Sequence, residues 1–427
     1  MDLQISPVKK LNGRIKVPGD KSISHRAVML GSIAQGTTEI EGFLKGRDCL
    51  STIRCCRALG ISINIKDDKV TVRGKGLYGL QEPENILQVG NSGTTIRLIS
   101  GILAGQPFTS TLTGDSSIRR RPMGRVIKPL TEMGAVFIGR NKGSLAPFTI
   151  QGGNLQPISY QMPVASAQVK SALLLAGLFT SGWTEVIEPL KSRNHTELML
   201  SSFGANIKTD GLKVRVKGGE QLTAQNVVVP GDISSAAFFM VAGLIIPEAK
   251  IVIESVGLNS TRDGIIEVLR AMGAKIRVFN ERTIAGEVMG DIEVETSTLR
   301  GITVSGELIP RLIDEIPILA VAGLFAEGIT EIRDAEELKV KESNRLKTIC
   351  EGLTRMGGKV EELPDGLRIW GGQPLKGAVC QSHNDHRIAM SLAIAALRAE
   401  GTTVIENAET IDVSFPHFTE IIASLTQ

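Results

Sequence analysis

Three stretches place cations at the start of an expected helix: Gly19-Asp20-Lys21-Ser22-Ile23-Ser24-His25-Arg26, Asn91-Ser92-Gly93-Thr94-Thr95-Ile96-Arg97 and Asn384-Asp385-His386-Arg387. Ser166-Ala167-Gln168-Val169-Lys170 has the same form. A helix N-terminus offers backbone N–H groups and the positive end of a dipole, so Lys, Ser and Arg added there make an anion site. Gly93 would let a ligand approach the backbone closely. Two cationic runs, Ile118-Arg119-Arg120-Arg121-Pro122 and Lys339-Val340-Lys341-Glu342-Ser343-Asn344-Arg345, fall in expected second helices, with Lys341 and Arg345 at i and i+4 on one helical face. Each taken alone reads by default as a solvated surface. Their recurrence at equivalent points favours a shared cleft for multiply charged anions. Two acids stand among these cations. Asp314, in Ile313-Asp314-Glu315-Ile316-Pro317, interrupts an apolar stretch where burial would equip it as a base, or else it caps the helix that follows. Glu342 lies between Lys341 and Arg345.

The elements that must position these residues repeat. An apolar helix, a Gly and a strand-like run recur at Leu59-Gly60-Ile61, Met133-Gly134-Ala135, Phe203-Gly204-Ala205, Met272-Gly273-Ala274 and Met356-Gly357-Gly358, roughly 70 to 85 residues apart. Gly ends a helix by taking the left-handed conformation. Each unit reads helix, strand, helix, strand. Three units precede about residue 230 and three follow, with Pro18-Gly19-Asp20 and Pro230-Gly231-Asp232 opening the first and fourth alike. The fourth start, Gly231-Asp232-Ile233-Ser234-Ser235-Ala236-Ala237, carries no cation, so Lys21 and Arg26 are additions to a frame that folds without them. The sixth unit stops at its second helix, Phe418 to Leu425, whereas strand-like Leu11 to Val17 belongs to no unit. The expected organisation is one lobe of residues 1–20 plus 235–427, completed by the N-terminal segment, and a second lobe of 21–234. Crossover strands near 20 and 235 would act as hinges. Two independent α/β domains on a simple linker are the alternative.

Composition excludes several classes. At 427 residues the chain is about three times the usual domain length. It is 42% hydrophobic and 22% charged, and no apolar run approaches the ~18 residues of a membrane span. A net charge of +3, from 48 Lys plus Arg against 45 Asp plus Glu, is too balanced for a nonspecific polyanion binder. Aromatics at 4% leave few stacking platforms for bases. Five cysteines without a C-x-x-C pair fit a reducing cytoplasm, and adjacent Cys55 and Cys56 read as buried, inert helix positions. Gly74-Lys75-Gly76-Leu77-Tyr78-Gly79 matches G-x-G-x-x-G, but Pro83 follows and no helix opens, so it reads as a turn. His383 and His386 lack a third ligand of fitting spacing, so no metal site is expected.

Pro18 to Arg26, Gly90 to Arg97, Arg121-Pro122-Met123, Lys341 to Arg345 and Asn384 to Arg387 strongly resemble the signatures of the 5-enolpyruvylshikimate-3-phosphate synthase family, over essentially the whole chain. The resemblance implies a two-lobed α/β fold, each lobe of three βαβαββ repeats, an inside-out α/β barrel. It implies transfer of the enolpyruvyl group of phosphoenolpyruvate to the 5-hydroxyl of shikimate 3-phosphate, with release of phosphate, and a target for glyphosate. It assigns shikimate 3-phosphate to Lys21, Ser22, Arg26, Ser166, Ala167, Gln168, Arg193, Asp314 and Lys341. Phosphoenolpyruvate falls to Lys21, Asn91, Gly93, Arg121, Gln168, Glu342, Arg345, His386 and Arg387. Asp314, Glu342 and Lys21 would carry the proton transfers and charge stabilisation. No cofactor, metal, nucleic acid or membrane is implied, and the expected state is a cytoplasmic monomer. Two positions depart from the family pattern: Ala167 stands where many members have Ser, and Val413 where some have Lys. UDP-N-acetylglucosamine enolpyruvyl transferase shares the six-unit fold but carries a Cys before its Arg-Pro motif, and Gly114 to Arg120 contains none. A noncatalytic scaffold for phosphorylated ligands is the rival of another class.

Overall fold

The computed structural model describes residues 1–426. It divides into two compact units: Met1–Pro18 with Pro230–Thr283 and Val288–Gln427, and Gly19–Val229 with Ile284–Glu287. Each unit has its own apolar core.

Both units are built from the same motif, and its logic is clearest in the middle repeat of Gly19–Val229. A short strand, Leu87–Gln88, leads into the helix Gly93–Ala104, which returns in strand Thr109–Thr113, parallel to the first. A second helix, Gly124–Glu132, is followed by the antiparallel pair Val136–Arg140 and Leu145–Gln151. The sheet order is opening strand, second strand, last strand, third strand, and it recurs in both units. The helix–strand–helix–strand reading therefore missed the short opening strand and one arm of the terminal hairpin. Two- and three-residue strands carry no periodicity to detect, and the hairpin arms merge into one β-favouring run. The five Gly stops all sit at positive φ, from 83° at Gly60 to 112° at Gly134, which is the geometry a left-handed helix end requires.

The first helix of each repeat lies inside its unit and has no exposed residue. All 13 residues of Ile233–Ile245, all 9 of Ile316–Leu324 and all 11 of His386–Ala396 are buried. A helix without a polar face can be stable only when surrounded. These three pack on one another, as do Lys21–Ile33, Gly93–Ala104 and Ala167–Gly177 in the other unit. The sheets lie outside them and remain open, so helices occupy the place that strands hold in an ordinary α/β barrel.

Two edges are closed by distant chain. Val227–Val228 runs parallel to Gln35–Glu41 and supplies the opening strand of the first repeat. Asn12–Lys16 runs parallel to Lys250–Gly257 and does the same for the fourth. Leu3–Ile5 pairs antiparallel with Thr403–Glu406 in the sixth repeat, whose second helix, Phe418–Leu425, is followed by no strand among the described residues.

Candidate active site

In the unit Gly19–Val229 the N-terminal turns of the three inner helices are joined by side chains. Asp20 caps the first helix by accepting from Ile23 N at 2.8 Å, and Lys21 Nζ lies 3.2 Å from Asp48 Oδ2. Arg26, one turn in, is buried. It donates from Nε to Thr196 Oγ1 at 2.6 Å, from one terminal nitrogen to Ser171 Oγ at 2.7 Å and from the other to Ser22 O at 2.9 Å. Burial lowers the Arg26 pKa to about 10, so it stays charged at neutral pH. His25 beside it is pushed well below the usual histidine range, first by burial and then by Lys21 and Arg26, so it is neutral. Its Nδ1 meets Thr52 Oγ1 at 2.6 Å; Thr52 meets Thr95 at 2.7 Å, and Thr95 donates to Ser92 at 2.7 Å. A chain of hydroxyls thus links the first helix to the cap of the second.

Ser92 caps Gly93–Ala104, accepting from Thr95 N at 3.1 Å. Gly93 leaves room for two arginines: a β-carbon there would lie 2.7 Å from one terminal nitrogen of Arg121 and 3.1 Å from one of Arg97. Arg121 follows the single 3-10 turn Ile118–Arg120 and is turned inward, whereas Arg119 and Arg120 are exposed. Gln168 accepts from Arg97 at 2.6 Å and donates to Thr94 at 3.0 Å, so the second inner helix holds the reading end of the third. Ser166 caps that third helix through Val169 N at 3.4 Å. Asn91, Ala167 and Arg193 are partly exposed at the same ends.

The other unit assembles the acids. Arg345 is 1% exposed and meets three carboxylates: Asp385 at 2.8 Å, Asp314 at 3.1 Å and Glu342 at 2.6 Å. Burial works against its charge, but Asp385, Glu342 and Asp314 outweigh that and hold its pKa above the usual arginine value. Lys341 Nζ is 3.8 Å from Asp314. Asp385 has a second task. Its Oδ1 accepts from Arg387 N at 3.0 Å, capping His386–Ala396, while Oδ2 takes Arg345 and Ser343. His386 and Arg387 are buried at this helix start, with Arg387 4.0 Å from Glu315.

Each unit therefore gathers its own share of the sequence-nominated residues, with three corrections. Lys341 and Arg345 do not share a helical face: Lys341 is extended at the end of the 3-10 helix Glu336–Val340, and Asn344 caps a new helix at Arg345. Asp314 is no cap; Glu315 holds that position before Ile316–Leu324, and Asp314 instead meets two cations. Lys170 does not face an anion site but is wholly buried between Glu188 and Glu197. Sequence reasoning missed Asp385 as the organiser of Arg345, and Asp48 and Thr52 as partners of Lys21 and His25. The first carried a legible signal, an Asp directly before an apolar helix. Val413, at the departing late position, is buried. Cys55 and Cys56 are buried too, with thiols pushed up to about 12 and about 11 by burial, which makes them inert.

Cations stand at the N-terminal turns of these helices, several braced by hydroxyls or carboxylates, in a repeat protein whose site chemistry suits multiply charged anions. The chain belongs to the EPSP synthase family: the family model for EPSP synthase (3-phosphoshikimate 1-carboxyvinyltransferase) matches residues 5–422. A 3-phosphoshikimate 1-carboxyvinyltransferase of Desulforamulus reducens is 57% identical over 423 residues, 99% of each chain. One from Bacillus thuringiensis is 56% identical over 424 residues, again 99% of each. Among solved structures, EPSP synthase of Acinetobacter baumannii superposes with a TM-score of 0.89 at 46% identity, covering 99% of this chain and 98% of the other. Among the described residues no helix is long and apolar enough to cross a membrane.

Proposed function

We propose that this protein transfers the enolpyruvyl group of phosphoenolpyruvate to the 5-hydroxyl of shikimate 3-phosphate and releases phosphate, acting as a cytoplasmic monomer without a cofactor. The observation that carries the reading is Asp314, a half-buried carboxylate with a cation on either hand, Lys341 at 3.8 Å and Arg345 at 3.1 Å. A pure anion binder gains nothing from an acid at such a place, whereas a base for a hydroxyl belongs there.

Shikimate 3-phosphate lies with Lys21, Ser22, Arg26, Ser166, Ala167, Gln168 and Arg193, and Arg193 compensates for the hydroxyl that Ala167 lacks. Asp314 and Lys341 take the ring hydroxyls. Phosphoenolpyruvate lies with Lys21, Asn91, Gly93, Arg121, Gln168, Glu342, Arg345, His386 and Arg387. Its carboxylate displaces Glu342 from Arg345, and Glu342, which takes up a proton once that cation is engaged, becomes the acid. Asp314 then accepts the proton of the 5-hydroxyl as that oxygen attacks the central carbon, and Glu342 protonates the methylene. The tetrahedral adduct returns a methyl proton to Glu342 and expels phosphate, which leaves with the proton held by Asp314, restoring the double bond while Lys21 and the arginines stabilise the developing charge. The amino-sugar transferase reading is not favoured, because Gly114 to Arg120 offers no Cys and the family match is to EPSP synthase.

The test is phosphate release from phosphoenolpyruvate plus shikimate 3-phosphate, with wild type and Asp314→Ala. Asp314→Ala is expected to lower kcat by a factor on the order of 100 or more while shikimate 3-phosphate still binds. Release from the amino-sugar pair instead, or from neither pair, would overturn the proposal.

A further inference from the structure

Lys170 is 0% exposed, and its ammonium is shared by two carboxylates and a carbonyl: Glu197 at 2.6 Å, Glu188 at 2.8 Å and Ser192 O at 3.3 Å. Glu188 in turn accepts from the backbone N of Ser192 at 3.1 Å and from its hydroxyl. One buried cation therefore ties the inner helix Ala167–Gly177 to the loop that ends in Arg193, and to the helix His195–Ser202. Arg26 is the neighbour on the far side. It bonds Ser171, the next residue along the helix, and Thr196, the residue before Glu197. Glu197 and Arg193 both act on the charge of Arg26, in opposite senses. A buried carboxylate left without Lys170 would turn to Arg26, because an uncompensated charge in the interior seeks the nearest partner.

We infer that Lys170 is a positioning residue for the shikimate 3-phosphate site: it commits Glu188 and Glu197 to itself and pins Ser192, which keeps Arg26 and Arg193 in place for shikimate 3-phosphate. The inference rests on the assignment of Arg26 and Arg193 proposed above. It makes Lys170 a shield rather than a ligand.

The experiment is steady-state phosphate release, titrating each substrate separately, with melting temperatures for every variant. Lys170→Met is expected to raise KM for shikimate 3-phosphate at least about tenfold, with kcat lowered less than about threefold and KM for phosphoenolpyruvate within about twofold. The double variant Lys170→Met, Glu197→Gln should recover most of that loss, since the competing carboxylate is gone. A loss spread evenly over kcat and both KM values, or a double variant no better than the single, would overturn the inference. If Lys170→Met does not fold, Glu188→Gln serves: it keeps the Lys170–Glu197 pair but loosens Ser192, and KM for shikimate 3-phosphate should rise about threefold. An unchanged KM there would overturn it equally. Arg26→Ala separates the two levels. If it leaves KM for shikimate 3-phosphate unchanged, the assignment of Arg26 to that substrate is wrong; if it raises KM while Lys170→Met does not, the shield alone is wrong.

Discussion

Single residues at this site are defined by what crowds them. Gly93 shows it most directly, since a β-carbon would come within 2.7 Å of the Arg121 guanidinium. That contact is to the far end of a flexible side chain, so Gly93→Ala should fold and shift Arg121 rather than unfold the helix. The family is a target of glyphosate, a longer molecule than phosphoenolpyruvate. Gly93→Ala is expected to weaken inhibition by glyphosate more than it raises KM for phosphoenolpyruvate. Inhibition curves at fixed shikimate 3-phosphate check this, and unchanged inhibition would refute the steric argument. His25 illustrates the opposite case. Its neutral ring, bonded to Thr52, is an internal strut.

At the scale of the element, one side chain often both ends a helix and aims a neighbour. Asp385 caps His386–Ala396 through one oxygen and holds Arg345 through the other. Those two tasks can be separated by substitution. Asp385→Asn keeps a capping oxygen but loses the charge facing Arg345, whereas Asp385→Ala loses both. The expected stability gap between the two variants is about 1 kcal/mol, the worth of an N-cap, while kcat/KM for phosphoenolpyruvate falls in both. Urea unfolding and initial rates measure the two effects independently. Equal stability of the variants would mean that the cap contributes nothing. The break at Lys341 belongs to this scale as well: a run that looks helical by spacing is interrupted because Asn344 caps a new helix, accepting from Lys347 N at 3.3 Å.

The whole molecule is assembled by lending strands across long stretches of chain. Asn12–Lys16 and Leu3–Ile5 lie more than 200 residues from their partners Lys250–Gly257 and Thr403–Glu406, and they close edges that would otherwise be open. A fragment of residues 19–229 carries its own core and, through Val227–Val228, its own closing strand. It is expected to fold alone with a cooperative transition. A fragment of residues 230–427 should stay partly unfolded until a peptide of residues 1–18 is added. Circular dichroism melts with and without the peptide decide the matter, and independent folding of the second fragment would show that the borrowed strands are dispensable.

Much was determined by local sequence alone. The Gly stops mark helix ends because positive φ is a property of a single residue. The identity of the cations was legible as well, since Lys21, Arg26, Arg121, Arg345 and Arg387 stand at helix starts that repeat without them elsewhere. What the cations do was decided only by tertiary structure. Arg345 meets Asp314 and Asp385 across 31 and 40 residues of chain, and Lys170 meets Glu197 across two elements. No periodicity encodes such pairs, because the energy of a buried charge depends on the partners that the fold delivers and not on its neighbours in sequence. Lys170 and Lys21 are the same residue type at similar helix starts, yet one became a strut and the other a candidate ligand.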